Sequence, residues 1–241
     1  SSDVCSSDLA AVFDEGSLSI REPVEIESGV LLFDVSEDGR LAYWEAEGAY
    51  PTHEFVWVAR SGAISAVEEG WEVDHGGNNA GWRLSPGDSM LVWREGSGPG
   101  LGEIYVRSLP EGVPNQLTSD AYYDRLARWA PDGTRVVYQS SRRGRNGRQN
   151  MDVYSIRADG FGQPELLLDY TRGIQQAILT PDAQELVLVV PGEDGAGRDI
   201  YRYRIGSQEP PRPFVADPGT LENLLAVSPD RKSTRLNSSH L

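Results

Sequence analysis

The chain has 241 residues, and 37 Asp and Glu against 22 Lys and Arg give a formal charge of −15 with 39% apolar content. Such a length and apolar share support a sizeable core, while no apolar run nears the roughly 18 residues that a membrane span needs. The acidity argues against a nucleic-acid partner, whose phosphates require clustered cations, and one cysteine excludes a disulfide framework or a multi-thiolate metal site.

The two ends differ from what lies between them. Residues 1–9 hold the single cysteine, Cys5, and residues 230–241 hold the only lysine, Lys232. Both strings resemble in-frame translations of sequencing-library adapters, so they are expected to be foreign to the fold. Without Asp3, Asp8, Asp230, Arg231, Lys232 and Arg235, the body has 34 acids against 19 arginines and stays at −15. The expectation is therefore a piece of a longer protein, with residues 10–229 as the folded body.

Within the body a turn signature recurs: Ser36-Glu37-Asp38-Gly39, Ser85-Pro86-Gly87-Asp88, Ala130-Pro131-Asp132-Gly133 and Thr180-Pro181-Asp182-Ala183, then Ser228-Pro229. Proline presets φ at the second turn position, Asp caps the turn locally and Gly accepts positive φ. The inverted Gly87-Asp88 and the alanine at Ala183 should make the less ideal turns. Before each turn sit alternating apolar pairs, Phe33/Val35, Trp82/Leu84, Ala127/Trp129, Ala177/Leu179 and Leu225/Val227, as on a half-buried strand. After the turn come short apolar runs: Leu41–Trp44, Met90–Trp93, Val136–Tyr138 and Leu186–Val189. A third strand follows a loop in every copy, at Phe55–Val58, Ile104–Val106, Val153–Ile156 and Ile200–Tyr203, each preceded by an acid, Glu54, Glu103, Asp152 or Asp199. A weak fourth strand closes each unit at Ile64–Val67, Gln116–Thr118, Leu166–Leu168 and Pro213–Val215. Four strands per unit without helical periodicity predict an all-β fold built of propeller blades, at about 27–69, 80–119, 126–169 and 176–216, with another opening at 222–229.

The composite of W-S-P-D-G turn, apolar run, D-I-Y-V strand, D-G turn and L-T resembles the WD-repeat-like blades of TolB-type propellers. Ala127 to Leu168 carries it most completely. The order from Val35 to Tyr43, Glu54 to Gly62 and Arg83 to Pro86 is further similar to the C-terminal propeller of bacterial membrane-anchored serine/threonine kinases. That resemblance implies about four blades of a six-bladed ring. It also implies a non-catalytic module outside the cytoplasm that binds a protein or peptide. The same blades occur in TolB-like periplasmic proteins and in gating propellers of prolyl-oligopeptidase-like peptidases, so both alternatives stay open.

The body offers little for catalysis. There is no G-x-S-x-G elbow, and neither a kinase glycine loop nor an H-R-D segment is present. The carboxylates Glu68, Glu69, Glu103 and Asp152 read as solvated surface in so acidic a chain. Oxygen-rich stretches at Asp74–Asn79 and Asp194–Asp199 read as turns rather than as metal loops, since the EF-hand spacing is absent. No cofactor or metal is expected. Binding is expected instead on the rim where second-to-third-strand loops meet the links between blades. That rim carries Trp71, Asp74 and His75, then Tyr122, Tyr123 and Arg125, then Tyr170 and Arg172. Arg142, Arg143, Arg145 and Arg148 add a cationic loop suited to an acidic or phosphate-like group. Tyr, Trp and Arg are the residue types enriched where interfaces gain most of their affinity.

Overall fold

Alternating apolar residues next to turn-forming tetrapeptides make short antiparallel strands, and the computed structural model is built of them. It describes residues 7–10, 13–14, 19–20, 24–28, 30–35, 41–45, 53–59, 63–73, 81–96, 102–120, 122–142, 151–192, 197–215, 220–227 and 234–240, with side chains between 54 and 215. Every regular element among these residues is a β-strand, so no helix among them is long and apolar enough to cross a membrane. The chain divides into two compact units, Ser1–Asp74 and His75–Leu241.

The first unit contains sheet one, with strands Val30–Val35, Leu41–Glu45, Val56–Val58 and Ile64–Ala66 paired in that order. Phe33 faces Tyr43, and Tyr43 faces Val56. Short pairs flank it: Ser7–Ala10 with Val24–Ser28, Phe13–Asp14 with Ser19–Ile20, and His53–Glu54 with Glu72–Val73. The first of these begins within residues 1–9.

The second unit repeats the pattern three times. Sheet two runs Trp82–Leu84, Met90–Glu95, Glu103–Ser108, Asn115–Gln116; sheet three runs Asp124–Trp129, Arg135–Ser140, Asp152–Arg157, Glu165–Leu168. Sheet four runs Gln176–Leu179, Glu185–Pro191, Arg198–Arg204, Arg212–Val215. Its third strand also touches Thr220–Val227 in parallel, Arg198 against Leu221, and that strand pairs with Thr234–His240. The acids expected just before the third strands lie inside them, since Glu103, Asp152 and Asp199 are paired residues.

The recurring turns explain the hairpins. The amide of Asp88 donates to the Ser85 carbonyl, Gly133 to Ala130 and Ala183 to Thr180, at 2.8–2.9 Å. Asp132 and Asp182 accept the amides two residues on, at 3.0 and 3.1 Å. Gly133 takes φ 68 at the last turn position, and Ala183 is forced to φ 55 at the same place. A side chain there costs about 1–2 kcal/mol. In sheet two the inverted order gives positive φ to Gly87 at the third position, as a type II turn demands, and to Asp88 after it.

A single sheet cannot bury both its faces, so the apolar residues meet across two seams. Val92, Ile104 and Val106 of sheet two pack with Trp129, Val136 and Tyr154 of sheet three. Val137, Val153 and Leu168 of sheet three pack with Ala177, Leu186, Leu188 and Tyr201 of sheet four. Each fully buried side chain of this size contributes about 1.5–3 kcal/mol. Gly81 lets the first strands of sheets two and three approach, because a Cβ there would lie 3.7 Å from the Leu126 backbone. The Trp129 indole then donates to the Arg83 carbonyl at 2.9 Å.

Candidate functional site

At one end of the seam between sheets two and three, Gly102 meets the residues that lead into sheet three. Gly102 bridges Tyr123 in parallel, and the Asp124 amide donates to the Gly102 carbonyl at 3.0 Å. Gly102 has to be glycine: a Cβ there would collide with the Arg94 guanidinium and come within 2.8 Å of the Asp124 carbonyl. Arg94 is itself buried, stacks 5.0 Å from the Tyr123 ring and donates to the Gly96 carbonyl. A bulge between Arg125 and Arg128, with Leu126 at φ 52, re-aims the start of this strand.

The bulge and the link deliver acids to one place. Asp124 is fully buried, pairs across the ladder with Ser140 and lies close to Asp120, Arg142 and Tyr138. Burial raises its carboxyl to about 6; the nearby Ser140 and Thr118 hydroxyls and Arg142 oppose that rise, and Asp120 adds to it. The Ser140 and Thr118 hydroxyls are the hydrogen-bonding neighbours of its oxygens, while the Tyr138 hydroxyl, also buried, has no partner among the described residues. The Thr118 hydroxyl donates to Glu103 at 2.7 Å and accepts the Ile104 amide at 2.9 Å. Burial raises Glu103 to about 7 against that hydrogen bond, with Asp124 and Asp120 adding to the rise. Arg142 pairs with Asp120 and lies between two rings, 5.6 Å from Tyr122 and 5.3 Å from Tyr154.

The expected rim residues thus separate into groups. Tyr122 and Arg142 come together beside Asp120, and Tyr123, the next residue, stacks on Arg94. Arg125 points along the strand instead, donating to the Gln139 side-chain carbonyl at 3.1 Å and to the Ile174 carbonyl of the next link at 3.4 Å, and burial lowers its pKa. Tyr170 packs on the core between sheets three and four. Arg172 stacks 5.1 Å from the Tyr201 ring, donates to its hydroxyl at 2.6 Å and to the Pro191 carbonyl at 2.8 Å. Trp71, in the first unit, packs on Phe55 with ring centroids 5.0 Å apart. Asp74, His75, Arg143, Arg145 and Arg148 lie outside the described residues.

Glu103 and Asp152 correct the reading of these acids as surface charges. Asp152 is buried and Glu103 half-buried, because both enter the sheet as paired residues, whereas Glu68 and Glu69 are exposed. No group of three or more His, Cys, Asp or Glu side chains converges as a metal site among the described residues.

No family model and no curated protein matches the chain. Solved structures do. A TolB-type protein of Agrobacterium tumefaciens superposes with TM-score 0.68 at 18% identity over 91% of this chain and 74% of its own. The fold is that of the TolB β-propellers. TolB of Acinetobacter baumannii gives TM-score 0.65 at 16% identity, over 90% of this chain and 57% of its own. A puromycin hydrolase gives 0.63 at 16%, over 88% of this chain. The chain spans 36% of that hydrolase, and thus less than two thirds of the length of both the hydrolase and the Acinetobacter protein.

Proposed function

We propose that the chain is a non-catalytic propeller module that binds a protein or peptide where Tyr122, Tyr123 and Arg142 meet. In this reading it works outside the cytoplasm and forms part of a bacterial serine/threonine kinase or a related regulator. The observation that carries the binding role is the exposed Tyr122 ring on Arg142, which pairs with Asp120 beside the buried carboxyl of Asp124. Aromatic rings and arginine at an exposed rim are the residue types that carry most of the affinity at protein interfaces. The kinase association rests on the similarity of the Val35 to Pro86 order to kinase-linked propellers. Similarity to the puromycin hydrolase favours a second reading, a propeller that gates a hydrolase domain in the same polypeptide.

The test is selection of a displayed random-peptide library on the immobilised protein, repeated with a Tyr122→Ala/Tyr123→Ala variant. Enriched peptides should bind the variant at least about tenfold more weakly, as loss of aromatic anchors at an interface does. Peptides that bind both proteins equally, or none enriched, would overturn the assignment of this end as the binding face. A hydrolase domain encoded in the same reading frame would move the weight to the second reading.

A further inference from the structure

The four repeats can be read against one another, and one comparison is informative. Sheet four follows sheet three at a step of 50, from Ala130 to Thr180 in the turn. At that step Thr118 matches Leu168, Asp124 matches Ile174, Tyr138 matches Leu188 and Ser140 matches Val190. All eight are buried, yet the second member of every pair is aliphatic and packs in the seam between sheets three and four. Four polar residues stand where the copy 50 residues on supplies hydrocarbon.

Their hydrogen-bonding capacity exceeds what the described residues give them. The two oxygens of Asp124 have only the Ser140 and Thr118 hydroxyls beside them, and the Tyr138 hydroxyl has no partner among the described residues. Beside them Arg142 lies between the Tyr122 and Tyr154 rings, in the arrangement that attracts a guanidinium through the ring quadrupoles. Arg142 fills this place imperfectly. It uses only Asp120 of the three neighbouring carboxylates, and its Nε and the second oxygen of Asp120 stay without partners. Its reach is limited by its own backbone, whose amide is held by the Ser140 hydroxyl at 3.3 Å.

We propose that this cage is a binding site for an arginine side chain of a peptide partner, occupied in this structure by the chain's own Arg142. An incoming guanidinium takes the place of Arg142 between Tyr122 and Tyr154, pairs with Asp120 and goes deeper to the oxygens of Asp124. A guanidinium is favoured over an ammonium because a flat ion stacks on rings while its fork meets carboxylates. The net charge of −15 draws basic partners toward the site. This inference deepens the proposed peptide-binding role and rests on it.

The probe is N-acetyl-arginine methylamide titrated into the whole chain by calorimetry, with its citrulline counterpart as the uncharged isostere. Saturable binding of the arginine compound is expected, with the citrulline compound at least about tenfold weaker, the usual cost of losing a charged partner. Arg142→Ala empties the cage, and affinity should rise about tenfold. In that background Asp124→Asn should lower it again by about tenfold. Asp120→Asn, at the more open mouth, serves the same purpose should the buried substitution unfold the chain. Equal binding of both compounds, no binding, or an unchanged affinity in Arg142→Ala would each overturn the inference. Its failure is separable from that of the peptide-binding role. Selected peptides without arginine that still depend on Tyr122 and Tyr123 would leave that role standing and remove this site.

Discussion

Two seams in the second unit are built from the same repeat and closed in opposite ways. Between sheets three and four, Leu168, Ile174, Leu188 and Val190 form dry packing, and Arg172 locks the end by stacking on Tyr201 and bonding to it. Between sheets two and three, the corresponding end holds Thr118, Asp124, Tyr138 and Ser140, with acids that burial pushes toward neutrality. The dry seam uses its arginine to complete a structure, while the polar seam leaves capacity over. A repeat protein can carry one polar inter-blade junction because its neighbours keep the stabilising version.

The comparison is open to direct attack. The largest effect is expected from Ile174→Asp, which carries the polar seam's acid into the dry one without its hydroxyl neighbours. A buried, unpaired carboxylate should cost about 3–5 kcal/mol in urea unfolding. The pH dependence of stability is next. Asp124 holds its proton more tightly folded, at about 6, than unfolded. Its stabilisation is therefore complete below the unfolded value near 4 and is lost as pH rises through about 6. Urea midpoints at pH 4.5 and 7.5 should differ by on the order of 2–3 kcal/mol from this group, and Asp124→Asn should flatten that part. Rewriting the polar seam as Thr118→Leu/Asp124→Ile/Ser140→Val should stabilise the chain by about 2 kcal/mol, as replacing buried charge with hydrocarbon often does. An unchanged or lower midpoint would mean that the polar seam is already fully satisfied. The smallest effect concerns the turns: Ala183→Gly relieves the positive φ and should add about 0.5–1 kcal/mol by the same measurement.

The strands were legible because each copy states its pattern locally. Trp82/Leu84 and Ala177/Leu179 alternate as first strands, and Asp132 and Asp182 cap their turns as proline and glycine spacing implied. Tyr122, Tyr123 and Arg142 stood out as candidates by residue type alone. The acids beside them did not, because in a chain of charge −15 a single Asp or Glu carries no sign of burial. Asp124 reaches the seam through a bulge at Leu126, and no local motif announces a non-glycine residue at positive φ. The available signal lay across copies, in a carboxylate where the next repeat has isoleucine. The same limit applied to Arg125 and Arg172, whose exposed-looking positions end in hydrogen bonds to neighbouring backbone.

The Trp129 indole fastened to the Arg83 carbonyl has a consequence for how the protein breathes. It rivets sheets two and three at the opposite end of the seam from the acids. Amide hydrogens around Trp129 should therefore exchange with solvent together with those of sheet two, in a single slow class. Those around Asp124 should exchange earlier, when only the unriveted end parts.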